Sequence, residues 1–361
     1  MIPKRFAVFL CAAFSMLAGL TMASGLDRQS VLPNLPPQPS FVISTVALNG
    51  DQNPYGVAFV PRNFPNCGSL SPGDILVSNF NNSANAQGTG STIMRLTAGG
   101  APSVFFQAPP GVGLTTALGV LRAGFIIVGS VPAPTGTAQQ GQLIFLDAVG
   151  NEVEALTDST LLAGPWDLAI HDEGDQAQVF VSNVLSGTVT RIDLEIPMDG
   201  NPIVLSETQI ASGFAHRTDP VALVVGPTGL VYEARGDALY VASTADNAIF
   251  AIPNARRRST DASTGNIIYQ DNLHLHGPLG LVPAPNGDLI TTNGDAVNPD
   301  PTQPNEMVEF TVTGQFVAEV SVDTLPLGAA FGIALTRFQD HIRLVAVDDN
   351  TNSVKVWDVC P

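Results

Sequence analysis

One unit of sequence recurs six times in this chain, and that repetition limits the possible folds more than any other feature. Each unit opens with a proline or small-residue turn and a short apolar strand. A second apolar strand follows, ending in a small polar pair, then a turn and a third strand. The second and third strands read GDILVSNFNN with STIMRL, AGFIIVGSVPAP with GQLIFLD, AQVFVSNVLSGTVTRIDL, DALYVASTADNAIFAI, GDLITTNGDAVNP with EMVEFT, and IRLVAVDDNTNSVKVWDV. The first strands align as NPYGVAF, TALGVLR, GPWDLAI, DPVALVV, GPLGLVP and AAFGIAL. Successive units are spaced by about 48 to 63 residues, a period that belongs to stacked supersecondary units. Short β-branched runs separated by Gly, Asn, Asp and Pro read as antiparallel hairpins. Four strands per unit and six units predict an all-β fold, a six-bladed β-propeller. A sandwich needs no sixfold motif, a parallel β-helix has a shorter period, and no long amphipathic helix stands out.

The last unit stops after three strands. Residues 41–48, FVISTVAL, precede the first unit and have the length and apolarity of a strand. They are expected to complete the sixth blade from outside and so close the ring, which hides its sheet edges. Residues 41–361 then form one domain. Residues 1–24 read as a secretory signal peptide: Lys4 and Arg5, an apolar core from Phe6 to Leu20, and small residues up to a cut near Ala23 to Gly25. An uncleaved anchor is the alternative. Residues 25–40 are rich in proline and read as an extended, mobile lead-in.

The charge balance excludes several classes. Lys plus Arg number 15 and Asp plus Glu 32, a net charge of −17. Loss of the leader takes this to about −19, because Lys4 and Arg5 go with it. Such a chain does not bind nucleic acid by neutralising phosphates. Only 13% of residues are charged and 45% are apolar, which fits neither a coiled coil nor a disordered acidic tail. No later stretch approaches 18 uninterrupted apolar residues, so no membrane span is expected after cleavage. The expectation is a monomer that is secreted or periplasmic.

The turn, the G-h-A-like strand start and the strand ending in (V/T)-(S/A/T)-N resemble NHL-repeat propellers and the wider gluconolactonase and senescence-marker-protein superfamily. The resemblance covers nearly the whole of residues 41–361. It implies the propeller fold and leaves function open, since such families include lactonases, amidating lyases and binding scaffolds. The gluconolactonase version implies a Glu ligand early in the first blade, and NPYGVAF has none.

Candidate site residues follow from the expected topology. The top face carries the loops before each first strand and between the second and third strands. His216, in AHRTDP, and His274 and His276, in HLHGP, are expected there on adjacent blades. Neutral imidazole is a good zinc ligand. His216 and His276 are therefore candidate metal ligands, with Asp219 or His274 as a third, and amidating lyases resemble such an arrangement. The same residues could instead order the loops by hydrogen bonding. Top-face Asn and Asp residues, among them Asn79, Asn183, Asn247, Asn293, Asp348 and Asp349, could hold calcium or simply shape turns. The possible cofactor is zinc or calcium. At the fourth position of the aligned first strands stand Gly56, Gly119, Asp167, Ala222, Gly280 and Gly332. Asp167 alone is charged there, and its carboxylate is expected at the central channel as a candidate catalytic base or ligand. Cys11 leaves with the leader. Cys67 and Cys360 are expected on the bottom of neighbouring blades, where a disulfide would staple the closure.

Two functions remain from this reading. One is an exported binding or scaffold module that offers its top-face channel to a small molecule or a protein. The other is a metal-dependent lyase or lactonase using His216, His276 and Asp167.

Overall fold

Six antiparallel four-stranded sheets stand around one axis in the computed structural model, which describes residues 29–65, 68–294, 296–299, 302, 306–325 and 328–360. From the axis outward, blade 1 comprises Gln52–Phe59, Ile75–Asn81, Thr92–Leu96 and Ser103–Gln107. Blade 2 comprises Leu114–Val120, Ile126–Ser130, Gln142–Leu146 and Glu152–Leu156. Blade 3 comprises Pro165–Asp172, Gln176–Asn183, Thr188–Glu195 and Ile203–Ala211. Blade 4 comprises Pro227–Glu233, Ala238–Ser243, Ala248–Pro253 and Asn266–Tyr269. Blade 5 comprises Pro278–Pro283, Leu289–Asn293, Met307–Phe310 and Phe316–Val320. Blade 6 comprises Ile333–Phe338, His341–Asp348, Ser353–Val359 and, outermost, Phe41–Ser44.

The burial pattern explains why these sheets form a ring. The second strand Ile75–Asn81 is buried at every residue, so both of its faces meet protein. The outermost Phe41–Ser44 instead alternates half-buried and exposed. A sheet with two apolar faces must be sandwiched, and here each neighbour is another blade. Six apolar clusters lie one at each interface. Leu76 and Ile93 meet Ile126 and Ile144 between blades 1 and 2. Ile127 and Phe145 meet Val179 and Ile192 between blades 2 and 3. Phe180 meets Leu239 and Phe250 between blades 3 and 4, and Ile249 meets Val308 and Phe310 between blades 4 and 5. Ile290 meets Leu344 and Trp357 between blades 5 and 6. Val77 meets Val345 and Val356 between blades 6 and 1, which completes the circle.

Closure follows the expected scheme. Phe41 pairs with Val356, Ile43 with Val354 and Ser44 with Ser353. The strand ends at Ser44 rather than residue 48, after which the Thr45 N–H reaches the Asn352 carbonyl.

Two other expectations need correction. DPVALVV is not the inner strand of blade 4. It belongs to a small hairpin, Arg217–Asp219 with Leu223–Val225, and the inner strand is the following Pro227–Glu233. Both segments offer a proline turn followed by apolar residues, and GPTG is the closer copy of GPLG in blade 5. Nor is the described part of the lead-in loose. Leu32–Asn34 forms a single 3-10 turn, and Val31 and Leu32, 1% and 2% exposed, sit in the cluster between blades 5 and 6. Their backbone N–H groups donate to the Glu309 carboxylate, at 2.9 and 2.6 Å. Burial pushes the Glu309 carboxyl up, and these two donors pull it partly back. The segment is a strap across two blades.

The leader and Cys67 lie outside the described residues. Cys360 is exposed and carries no disulfide among the described residues. No helix among them is long and apolar enough to cross a membrane.

Candidate functional site

The inner strands fix what the axis can hold. Register across each first hairpin pairs Val57 with Val77, Leu118 with Val128, Leu168 with Val181, Leu230 with Val241, Leu281 with Thr291 and Ile333 with Ala346. The residue before each of these occupies one equivalent slot: Gly56, Ala117, Asp167, Gly229, Gly280 and Gly332. In blade 2 the slot is Ala117 rather than Gly119, because Leu118 is the residue that pairs with Val128, while Gly119 pairs with Ile127 as Ala58 pairs with Leu76 in blade 1. In blade 4 it is Gly229 rather than Ala222, which lies in the hairpin loop. The reason for small residues is space. A Cβ on Gly332 would come within 2.0 Å of the Tyr55 carbonyl oxygen, and one on Gly280 within 2.5 Å of the Phe331 carbonyl oxygen. Asp167 is the one slot residue with a side chain longer than a methyl.

The residue just before that slot is aromatic in three blades: Tyr55, Trp166 and Phe331. These rings meet at the top of the axis. Tyr55 stacks on Phe80 at 4.4 Å between centroids, leans on Phe331 at 4.5 Å and meets Trp166 edge-on at 5.9 Å. Val131, Val184, Leu223 and Val224 complete the cluster, the last two from the hairpin of residues 217–225. The hairpin therefore caps an aromatic plug. Leu223 takes φ +67°, a left-handed conformation costly for a bulky residue. The sequence carried a signal for the plug in NPYG, GPWD and AAFG, but not for the meeting of the three rings.

Below the plug lies a cavity of about 370 Å³, lined by the remaining lengths of all six inner strands. Thr116, Asp167, Gly280 and Gly332 stand at its plugged end. Pro61, Pro283 and Thr336 stand at the other, where the strands finish. The channel therefore opens on the bottom face, opposite to the top-face mouth expected from sequence.

Asp167 is half-buried by accessible surface because it borders this cavity, but protein surrounds it on its other sides. Its Oδ1 accepts the Leu168 N–H at 2.8 Å, and the Leu230 N–H on blade 4 also favours the ionised form. Burial outweighs both and pushes the carboxyl well above its ordinary value. Among the described residues no Lys, Arg or His lines the cavity. The other ionisable group there is the Tyr232 phenol, which donates to Asp237 and is pushed up to about 12, first by burial and then by the Asp237 charge. The Thr116 hydroxyl is occupied by the Trp166 carbonyl.

The structure does not bring the other candidates to Asp167. His216 is exposed, packs against Gly187 and has Nδ1 3.0 Å from its neighbour Phe214's carbonyl oxygen. His276 is 1% exposed, with Nδ1 on the Asn298 carbonyl oxygen and Nε2 without a partner among the described residues. Asp219 accepts the Val221 and Ala222 N–H groups at 2.9 and 3.0 Å, shaping the hairpin loop. His274 lies against Asp271 and stacks on Phe316. The contacts of His216, His276, Asp219 and Asp167 have no member in common. Among the described residues, no group of three or more His, Cys, Asp or Glu is placed to hold a metal ion.

The top-face amides act as staples. Asn79 Nδ2 donates to the Thr45 carbonyl at 2.8 Å, Asn183 to that of Leu161 at 3.0 Å and Asn293 to that of His274 at 2.9 Å. Each ties the end of a second strand to a loop of the same face. Asp348 lies 2.6 Å from the Lys355 ammonium.

No protein-family model matches the sequence, and no curated protein matches it. Solved structures of similar shape do exist. A putative 6-phosphogluconolactonase from Bacteroides fragilis superposes with a TM-score of 0.47 at 13% identity, covering 79% of this chain and 81% of that one. Another, from Bacteroides uniformis, gives 0.41 at 16% identity, covering 85% and 83%. The major allergen Mala s 1 of Malassezia sympodialis gives 0.50 at 12% identity, covering 88% and 95%. At these identities the likeness concerns the fold.

Proposed function

We propose that this protein is an exported small-molecule-binding propeller whose ligand enters the axial channel from the bottom face and is anchored by Asp167. One observation carries the reading: a carboxyl, single among the described lining residues, at the blind end of a cavity of about 370 Å³. That volume lies within the range of small-molecule sites, and a few polar groups on apolar walls are their usual lining. The signal-like residues 1–24 support export. The six interlocked blade interfaces make the channel walls rigid, so the site is preformed and needs no ordering on binding.

The test uses ligand-observed NMR with a panel of four- to six-carbon alcohols, amides, amines and acids. Thr336 lines the open end, and Thr336→Trp narrows the entrance. At least one panel member is expected to bind wild type and to be lost in Thr336→Trp. A panel that binds nowhere, or binds equally to both proteins, overturns the reading.

A lyase or lactonase within the resembled superfamily would make Asp167 a general base in the same channel. δ-Valerolactone separates the two readings. Turnover abolished by Asp167→Asn supports the enzyme, and binding without turnover supports the binding module.

A further inference from the structure

We infer that the channel takes a small organic cation, an alkylammonium whose charged head meets Asp167 and whose carbon chain lies along the channel walls. The inference rests on the channel being the binding site and names the chemical class of its occupant.

The charge inventory comes first. Among the described residues, the cavity lining contains one carboxyl and no Lys, Arg or His. Among the described residues no salt bridge or cationic side chain is found on Asp167, whose partners are backbone N–H groups of Leu168 and Leu230. An anionic ligand, such as a carboxylate or a phosphate ester, would find no counter-charge there and would be pressed against a carboxyl in a poorly solvated space. The chain's net charge of −17 also repels anions at a distance and draws cations in.

The hydrogen-bond inventory comes second. Each inner strand pairs only with the second strand of its own blade, so its other edge faces the axis. Carbonyl oxygens on those edges are acceptors, and an ammonium brings donors only. At the level of Asp167 the other five slots are Gly56, Ala117, Gly229, Gly280 and Gly332, so no long side chain covers these edges. The walls toward the bottom face carry Val57, Leu118, Leu230, Leu281 and Ile333, which suit an alkyl chain.

A neutral hydroxyl ligand is the chemical competitor, and pH separates it from a cation. An ammonium needs the ionised carboxylate. Its affinity therefore rises about tenfold per pH unit below the midpoint of free Asp167 and levels off above it, because binding then releases one proton. A hydroxyl that accepts a hydrogen bond from the neutral acid shows the opposite slope. Tyr232 is the other ionisable group facing the cavity, and its upward shift keeps it neutral throughout the range.

The experiment is calorimetry of wild-type protein with n-butylammonium, n-butanol and n-butyrate between pH 5 and 8. Saturable butylammonium binding is expected, at least tenfold tighter than butanol at pH 8, weakening on acidification, with no butyrate binding. Asp167→Asn is expected to erase the preference for the cation and its pH slope. Butanol or butyrate binding as tightly as butylammonium, or a slope of the opposite sign, overturns the cation assignment but leaves the channel as the binding site. Binding of all three with no change in Thr336→Trp overturns the channel reading itself. Should Asp167→Asn misfold, the wild-type pH slope still decides the matter.

Discussion

Beginning the chain at residue 36 rather than residue 26 removes the strap and leaves the ring-closing strand intact. The strap's worth follows from its contacts. Val31 and Leu32 are almost wholly buried, about 2 to 2.5 kcal/mol each by area. Two backbone donors on the buried Glu309 carboxylate add about 2 kcal/mol each. Against these gains of about 8 to 9 kcal/mol stands the ordering of residues 30–34, about 7.5 kcal/mol at about 1.5 per residue. The balance is about 1 kcal/mol, and that balance is a ceiling. A core Leu→Ala change ordinarily costs about 2 to 5 kcal/mol, but Leu32→Ala can lose no more than the strap supplies, because the strap then undocks. The assay is urea unfolding of four proteins: the chain from residue 26, the chain from residue 36, Leu32→Ala and Glu309→Gln. The truncation is expected to cost about 1 kcal/mol, with Leu32→Ala at or below it. Leu32→Ala costing more than the truncation, or a truncation costing under about 0.5 kcal/mol, would refute the reasoning.

Buried acids should give this protein an unusual pH dependence. Glu306 is pushed up to about 7 by burial, so its folded form holds the proton more tightly than the unfolded chain. Stability should therefore fall as pH rises from about 4.5 to 7, by about 3 kcal/mol from this group. Asp349, pushed up to about 6 by burial and by Asp348, adds to the slope below pH 6. Urea midpoints should show this slope in wild type and a flatter one in Glu306→Gln; equal slopes would count against it. Gly332→Ala places a Cβ 2.0 Å from a backbone oxygen that cannot rotate away, so a loss of about 1 to 3 kcal/mol is expected by thermal unfolding. Beginning the chain at residue 45 strips the outer strand from blade 6, and size-exclusion chromatography should show self-association; a stable monomer would contradict the closure.

Much of the fold was legible because each blade repeats the same local instructions. FVIS could be placed as the closing strand since the sixth unit lacked an outer strand and only that segment was left over. The blade 4 hairpin was misread because DPVALVV and GPTGLVY both satisfy a turn followed by an apolar run, and nothing local chooses between them. Gly119 passes for the axial slot because ALGV resembles PYGV, and only the pairing register shows Gly119 opposite Ile127, two residues beyond the slot. The strap was hidden by prolines, and its partner Glu309 lies 278 residues from Val31. Asp167 stood out from sequence alone as the charged exception among small residues. Its surroundings did not. The direction in which the channel opens depends on Tyr55, Trp166 and Phe331 meeting across blades 1, 3 and 6. No periodicity reports a contact of that kind.

The central claim is that Asp167 sits in the blind end of a ligand-accepting channel, and the carboxyl carbon of that residue reports on it directly. Aspartate labelled with ¹³C at the side-chain carboxyl can be titrated by NMR, with Asp167→Asn identifying the signal. The account predicts a midpoint well above that of ordinary aspartates in the free protein, moving downward when n-butylammonium is added. A midpoint in the ordinary aspartate range that ignores the cation would contradict it.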